Sequence, residues 1–359
     1  MTVRPTLRSI AERASVSRQT VSNVLNAPHL VHPDTSARVR AVIDEVGYRP
    51  HRLARQLRTQ RSYVVGLRIR PSGDKMAGAV MDRFLHAITG HAQALDYRIM
   101  VFTASDDAAE ILQYDELLNT VEIDAFVLTD THHDDARTRW LAERGVPFVT
   151  FGRPWDPQVS DALLNDHAWV DVDGSAGTRA AVEHLRSLGH RRIGFIGWPE
   201  GSDAGDDRRR GWQQAMAPLR LSTDELDALH LGVLDTVADG AQATADLLGN
   251  AAPTALVCAS DTLALGALTA TRSGPDPTTS STCAVVGFDD TPVAQAIGLS
   301  SVAQPLNEAA GWAVRLLLEQ LTARSEAEPS AVAGQHVLLA PELVVRTSST
   351  APEAPDADS

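Results

Sequence analysis

Residues 6–26 read TLRSIAERASVSRQTVSNVLN, and this stretch decides how the N-terminal end of the chain folds. Leu7, Ile10, Ala11 and Ala14 recur at the spacing of one helical face. Ser17 stands where a helix N-cap belongs, and Val21, Val24 and Leu25 form the next apolar stripe. Ala14-Ser15-Val16 is left as a tight connection, and two short helices joined by about three residues predict a helix-turn-helix. A third helix is signalled by Pro33 in its first turn, Asp34 near its positive end, an inward row of Val39, Ile43 and Val46, and Gly47 as the stop.

In such a unit the second helix enters the major groove of duplex DNA with its N-terminal side chains at the base edges. Here those are Ser17, Arg18, Gln19, Thr20 and, one turn on, Asn23. Arg18 offers a bidentate pair to guanine, Gln19 does the same for adenine, and Asn23 shares their face. The segment that follows sets Arg52, Leu53, Ala54, Arg55, Leu57, Arg58 and Arg61 after Pro50. A free helix of two turns is marginal in water, so residues 51–61 are expected to order on DNA. A leucine then wedges into the minor groove while guanidinium groups meet phosphates. The competing reading is a basic linker.

Charge supports the division. The full chain of 359 residues carries a net −14, yet residues 1–61 hold eleven arginines against Glu12, Asp34, Asp44 and Glu45. That is +7 for the head and −21 for the remainder, the asymmetry of a nucleic-acid-binding module on an acidic partner. The length calls for more than one core. No apolar run reaches the ~18 residues of a membrane span and no apolar signal segment follows Met1, so a cytoplasmic protein is expected. Cys258 and Cys283 are too few for a disulfide framework and sit in apolar, strand-like runs as small core residues.

Beyond Arg61, apolar runs alternate with helical patterns. YVVGLRI, RIMVFTA, DAFVLTD and PFVTFG form one series; WVDVD, RRIGFIG, TALVCAS and CAVVGFD form a second. Near-continuous apolar strands between helices imply parallel sheets covered on both faces, and two such units leave a ligand crevice at the strand carboxyl ends. Asp289, just after VVGF, points from a strand end into that crevice. Trp155 and Trp198 follow strand ends too, and would stack on a sugar face or pack against helices. Arg70, Asp130 and Arg153 are further strand-end polar residues, facing the crevice or solvent. Trp212 and Trp312 fall on amphipathic helices and read as core.

VSRQTVSNVLN followed by GYRPHRLARQLRT resembles the headpiece and hinge helix of the lactose-repressor (LacI/GalR) family of bacterial transcription regulators. GLRI, HLRSLGHRRIGFIG, ASDTLALGAL, VVGFDD and SSVAQPLNEAAGWAV extend the likeness to about residues 6–346. The resemblance implies an all-α helix-turn-helix headpiece on an α/β periplasmic-binding-protein-like core of two doubly wound parallel-sheet lobes. It makes Arg18, Gln19 and Asn23 groove readers and Leu57 the intercalating leucine. It makes Asp289 a ligand aspartate and Arg208 a ligand arginine, with Arg209 leaving the register open by one, and it places Ser260 and Gln304 near the ligand. His51 departs from the family's usual asparagine and is given no role. Three crossings between lobes are implied, with residues 62–168 and 300–325 in the first lobe and 169–299 and 326–346 in the second. The tail 347–359 is expected to be disordered.

No phosphate-binding loop, dinucleotide turn, nucleophile elbow or zincin helix occurs, so neither enzyme chemistry nor a cofactor or metal is expected. The His132-His133 pair reads as a solvated loop. The expectation is a homodimeric regulator, most simply a repressor, on a pseudo-palindromic operator, because one two-helix reader covers only a half-site. Its effector would be a small molecule, preferably a neutral saccharide, with a phosphorylated sugar or a nucleobase as the open alternative. The alternative is a stand-alone solute-binding protein with an incidental basic arm.

Overall fold

The computed structural model describes residues 5–48, 61–71, 78–120, 123–155, 167–272, 283–326 and 334–350. They fall into two compact units, Met1–Ser62 and Tyr63–Ser359.

The first unit is all α. Helix α1 (Leu7–Ala14) starts at Thr6, whose hydroxyl accepts from the Ser9 amide in a capping box, and it ends at Ser15 in the left-handed conformation. Helix α2 (Arg18–Asn26) is capped by Ser17, whose Oγ accepts from the Thr20 amide at 3.0 Å. A 3-10 turn over Pro28–Leu30 leads to α3 (Pro33–Val46), which has proline in its first turn and stops at Gly47 with φ +63°. Ile10, Ala11, Ala14, Val21, Val24 and Val39 are buried together. Arg38 donates to the Ala14 carbonyl at 3.1 Å, so α3 also closes the end of α1.

The second unit begins with β1 (Val64–Ile69), α4 (Gly78–Ala94), β2 (Arg98–Thr103), α5 (Asp107–Thr120), β3 (Ala125–Leu128), α6 (Ala136–Glu143), β4 (Phe148–Phe151) and β5 (Trp169–Val172). It continues through α7 (Gly174–Ser187), β6 (Ile193–Gly197), α8 (Ala204–Met216), α9 (Thr223–Asp227), β7 (His230–Gly232), α10 (Val237–Asn250), β8 (Ala255–Cys258), α11 (Asp261–Arg272) and β9 (Ala284–Phe288). It closes with α12 (Pro292–Ile297), β10 (Ser300–Ala303), α13 (Leu306–Glu326), β11 (His336–Leu339) and β12 (Glu342–Val344). Among the described residues these strands make two six-stranded sheets, ordered β11-β5-β4-β3-β1-β2 and β12-β10-β9-β8-β6-β7. Every ladder is parallel except β12 against β10.

The chain crosses between sheets three times, but not at the expected residues. Trp169–Val172, expected in the second lobe, pairs with β4 through Thr150↔Trp169 and Phe151↔Val170, and therefore belongs to the first. Ser300–Ala303, expected in the first lobe, pairs with β9 in the second. His336–Leu339 pairs with β5 in the first lobe, whereas Glu342–Val344 joins the second. The physical reason is common to all three: each crossover leaves from the carboxyl end of a strand, so the strand stays with the sheet it completes. Thr347–Ser349, expected in a disordered tail, forms a 3-10 turn with Ser349 buried, its hydroxyl 2.6 Å from Ser300 Oγ and 3.0 Å from His184 Nε2.

Both lobes are covered on both faces. In the first, α4 and α13 pack Phe84, Ile88, Ala309, Ala313 and Leu317 on one side of the sheet. Tyr114 and Leu141 cover the other with Phe126 and Phe148. The second lobe buries Trp212, whose Nε1 donates to the Ile193 carbonyl at 3.0 Å, together with both cysteines. Trp312 is half-buried against the first core.

Helices α10 and α11 meet backbone to backbone. A Cβ on Gly266 would stand 2.2 Å from the Val237 carbonyl oxygen, and one on Gly240 would stand 2.5 Å from that of Leu263. Gly266→Val must separate the two helices, and is expected to lower stability by about 3 kcal/mol, read as a lower urea midpoint with an unchanged slope.

Candidate functional site

The headpiece presents α2 with Ser17, Arg18 and Gln19 exposed and Thr20 and Asn23 half-buried. Gln19 Nε2 donates to Asn23 Oδ1 at 3.0 Å, which fixes these two side chains as a pair one turn apart. Val21 and Val24 turn the opposite face into the core, so the polar face cannot rotate away from a docked surface. Arg52, Leu53, Ala54, Arg55, Leu57 and Arg58 lie outside the described residues.

In the second unit a cavity of about 270 Å³ opens between the two sheets at their strand carboxyl ends. Trp155, Thr131 and Asp171 face it from the first lobe; Trp198, Arg208 and Asp289 face it from the second, and Gln304 stands at the crossover between them. The sequence therefore named six residues of this wall: Asp289, Arg208, Gln304, Trp155, Trp198 and Asp130. Ser260 and Arg153 stand behind it and orient carboxylates that line it. Ser260 donates to Asp235, while Arg153 bonds Asp171 at 2.5 Å from its own lobe and Asp207 at 3.1 Å from the other.

Of the two neighbouring arginines, Arg208 lines the cavity. Its guanidinium lies 3.8 Å above the Phe288 ring and 5.0 Å from that of Trp198, donates to the Ala259 carbonyl, and approaches Asp289 at 3.7 Å. Arg209 turns outward to Glu200 at 2.6 Å and Asp206 at 3.4 Å. Asp289 Oδ1 accepts from Gln304 Nε2 at 2.7 Å. Its backbone has φ +110° and the next residue, Asp290, has φ +47°, so the turn carrying this carboxylate is strained. Arg83 of α4 holds that turn from the other lobe, donating to the Asp289 and Asp290 carbonyls at 2.9 and 3.2 Å. His133 adds a further bridge, its amide donating to the Asp203 carboxylate at 3.1 Å, just ahead of α8.

Burial pushes the Asp289 carboxyl up to about 7, with Asp261 and Asp235 adding to the rise and Arg208 and Gln304 opposing it. In the unfolded chain the group titrates near 3.8, so between the two values the native state holds more protons and stability falls as pH rises. A ligand whose hydroxyls donate to this group needs the ionised form. Its affinity is expected to be flat above neutrality and to fall by about tenfold per pH unit well below it, which calorimetric titration at several pH values would register.

His132 does not sit in a solvated loop. It is half-buried, with Nε2 3.0 Å from Asp107. Asp107, His132 and Asp135 cluster closely enough for a cation, but Asp135 is already bonded by the buried Arg137 at 2.6 and 2.8 Å, and the cluster is an ion-pair network. No helix among the described residues is long and apolar enough to cross a membrane.

Residues 6–51 match the bacterial regulatory proteins of the lacI family, and residues 182–349 match a periplasmic binding protein-like domain. The HTH-type transcriptional regulator CelR of Thermobifida fusca is 32% identical over 94% of this chain and 97% of its own. The chain belongs to the LacI family. A structure described as a CelR–cellobiose complex shares 29% identity, covering 96% of this chain and all of the other with a TM-score of 0.68. The Lac repressor dimer bound to operator and an anti-inducer shares 25% identity over 97% of this chain and all of the other, with a TM-score of 0.74. As a LacI-family protein the chain is a ligand-responsive transcriptional regulator with a helix-turn-helix unit and a two-lobed α/β core.

The sequence missed Asp171, Asp207, Asp235 and Arg83. Asp171 lies within WVDVD and Asp235 just beyond the short strand β7, so strand-end position was the available signal; Arg83, on an amphipathic helix, gave none.

Proposed function

We propose that the chain is a repressor that binds a pseudo-palindromic operator as a homodimer and is controlled by a neutral di- or oligosaccharide held between the lobes. The observation that carries the effector class is the lining of the cavity. An indole stands on each lobe, Trp155 and Trp198, as apolar platforms for sugar faces, and the polar groups between them are dominated by aspartate acceptors. Carboxylates suit hydroxyl donors and oppose a phosphate or carboxylate ligand. The relative with a cellobiose complex makes that disaccharide the first to try.

Residues Ser17, Arg18, Gln19, Thr20 and Asn23 read the half-site, and Arg52, Leu53, Ala54, Arg55, Leu57 and Arg58 take the operator centre. Asp289, Arg208, Gln304, Trp155 and Trp198 contact the effector, while Ser260 holds the Asp235 carboxylate and Arg153 those of Asp171 and Asp207 behind the wall. Control follows from the bridges between lobes. Arg83 and Arg153 tie one lobe to the turn and helix that present Asp289 and Arg208, so a ligand on those groups favours one lobe arrangement over the other.

The test is thermal melting of the full chain against a panel of saccharides. A ligand at ~100 times its Kd stabilises the native state by about 2.7 kcal/mol, so a saturable rise in Tm with one neutral sugar is expected. A rise with only phosphorylated or nitrogenous compounds would contradict the saccharide reading.

A further inference from the structure

The aspartates lining the cavity differ in how their charge is met. Asp130 pairs with Arg70 at 2.9 Å and Arg68 at 3.2 Å, and Asp171 pairs with Arg153 at 2.5 Å. Asp207 pairs with Arg153 at 3.1 Å and Arg210 at 2.9 Å, and Asp289 has Arg208 at 3.7 Å. Asp235 also lines the cavity, yet among the described residues no cation lies within ion-pair distance of it. Its Oδ1 is bonded by the Ser260 hydroxyl, which is itself buried and accepts from the Leu263 amide at 3.1 Å. Ser260 therefore has a fixed direction, and it holds the Asp235 carboxylate in one rotamer, with no hydrogen-bond partner for Oδ2 among the described residues.

We infer that Asp235 is a specificity-determining residue of the effector cleft, which accepts hydrogen bonds from the donor groups of an uncharged or amino-bearing saccharide and bars anionic ones. The inference rests on the saccharide reading above and adds the charge rule to it. Its physical basis is the lack of a compensating cation. A carboxylate already paired with arginine offers little net field, whereas one held by a neutral hydroxyl keeps its full charge toward the ligand. The position just ahead of α10, together with Ser260 ahead of α11, lets two helix N-termini stabilise that charge without cancelling its acceptor sites. The Asp235 charge also adds a little to the raised proton affinity of Asp289, which lines the same cavity. An incoming phosphate would meet both carboxylates, opposed by Arg208 beside Asp289.

The experiment measures calorimetric affinities of the full chain and of Asp235→Asn for cellobiose, for its 6′-phosphate and for the β-1,4-linked glucosamine dimer. Asparagine keeps the shape and an acceptor for Ser260, so the variant retains the local fold, and an unchanged Tm without ligand confirms it. In the wild-type protein the phosphate is expected to bind at least about thirtyfold more weakly than cellobiose, with the glucosamine dimer at least equal to cellobiose. In the variant, cellobiose is expected to weaken by about tenfold, with the gap to the phosphate closing to about threefold and the advantage of the amine lost. A purely structural aspartate would not move this charge order. If the wild-type chain binds cellobiose and Asp235→Asn leaves the order of the three ligands unchanged, the inference fails and the saccharide reading stands. If no sugar of the three binds the wild-type chain, both fail together.

Discussion

Asp289→Ala is expected to leave operator affinity within about twofold of the wild-type value while removing the response to ligand. Three features of the residue lead to this. It faces the cavity and accepts from Gln304 at 2.7 Å, it sits under the charge of Arg208, and its backbone turn is held by Arg83 from the opposite lobe. A ligand hydroxyl bonded to a carboxylate contributes roughly 1.5 to 3 kcal/mol, so losing one or two such bonds weakens binding by ~10 to 10⁴-fold. Alanine also leaves Arg208 without its carboxylate partner, and the unpaired cation would no longer hold its place between Phe288 and Trp198. DNA affinity is spared because the reading helix belongs to the other compact unit. Operator binding titrated with and without saccharide measures both halves; an unchanged response would remove Asp289 from the site.

Arg18→Ala is expected to have the largest effect on DNA. The side chain is exposed at the first position of α2, held by a serine cap and two buried valines on the far face. A bidentate contact to guanine discriminates by about 1 to 3 kcal/mol, and a twofold dimer makes it once in each half-site. Operator affinity should therefore fall by about 30-fold to 10⁴-fold, and preference at one symmetric pair of base positions should relax. Binding to unrelated duplex should change little. If specific and nonspecific affinities fell together, Arg18 would be a phosphate contact.

Much of this was legible in the sequence, for local reasons. Ser17, Pro33 and Gly47 are residues whose own chemistry starts or stops helices, so the three-helix head could be drawn without tertiary information. Strand ends carried Asp289, Trp155 and Trp198 to the cavity for the same reason. What failed was long-range. WVDVD and VLLAPELVVR are apolar runs with nothing in them to say which sheet they join, and their pairing with β4, β5 and β10 is set by partners far along the chain. Thr347–Ser349 looked like tail because small hydroxyl residues carry no apolar signal, yet their hydroxyls bond Ser300 and the Val285 carbonyl. Asp207 was missed, and Arg153 left between crevice and solvent, for a related reason: both take part in a bridge between lobes that no local pattern encodes.

In the proposed function, one chain joins a DNA reader to a saccharide switch. Fluorescence anisotropy of a labelled duplex from the region upstream of its own coding sequence, titrated with the full-length protein with and without cellobiose or the sugar chosen by melting, tests it most directly. Tight, salt-sensitive binding of one palindromic fragment is expected, with a shift in its affinity of tenfold or more when the sugar is present. Binding that is indifferent to sequence, or specific binding that no saccharide alters, would contradict it.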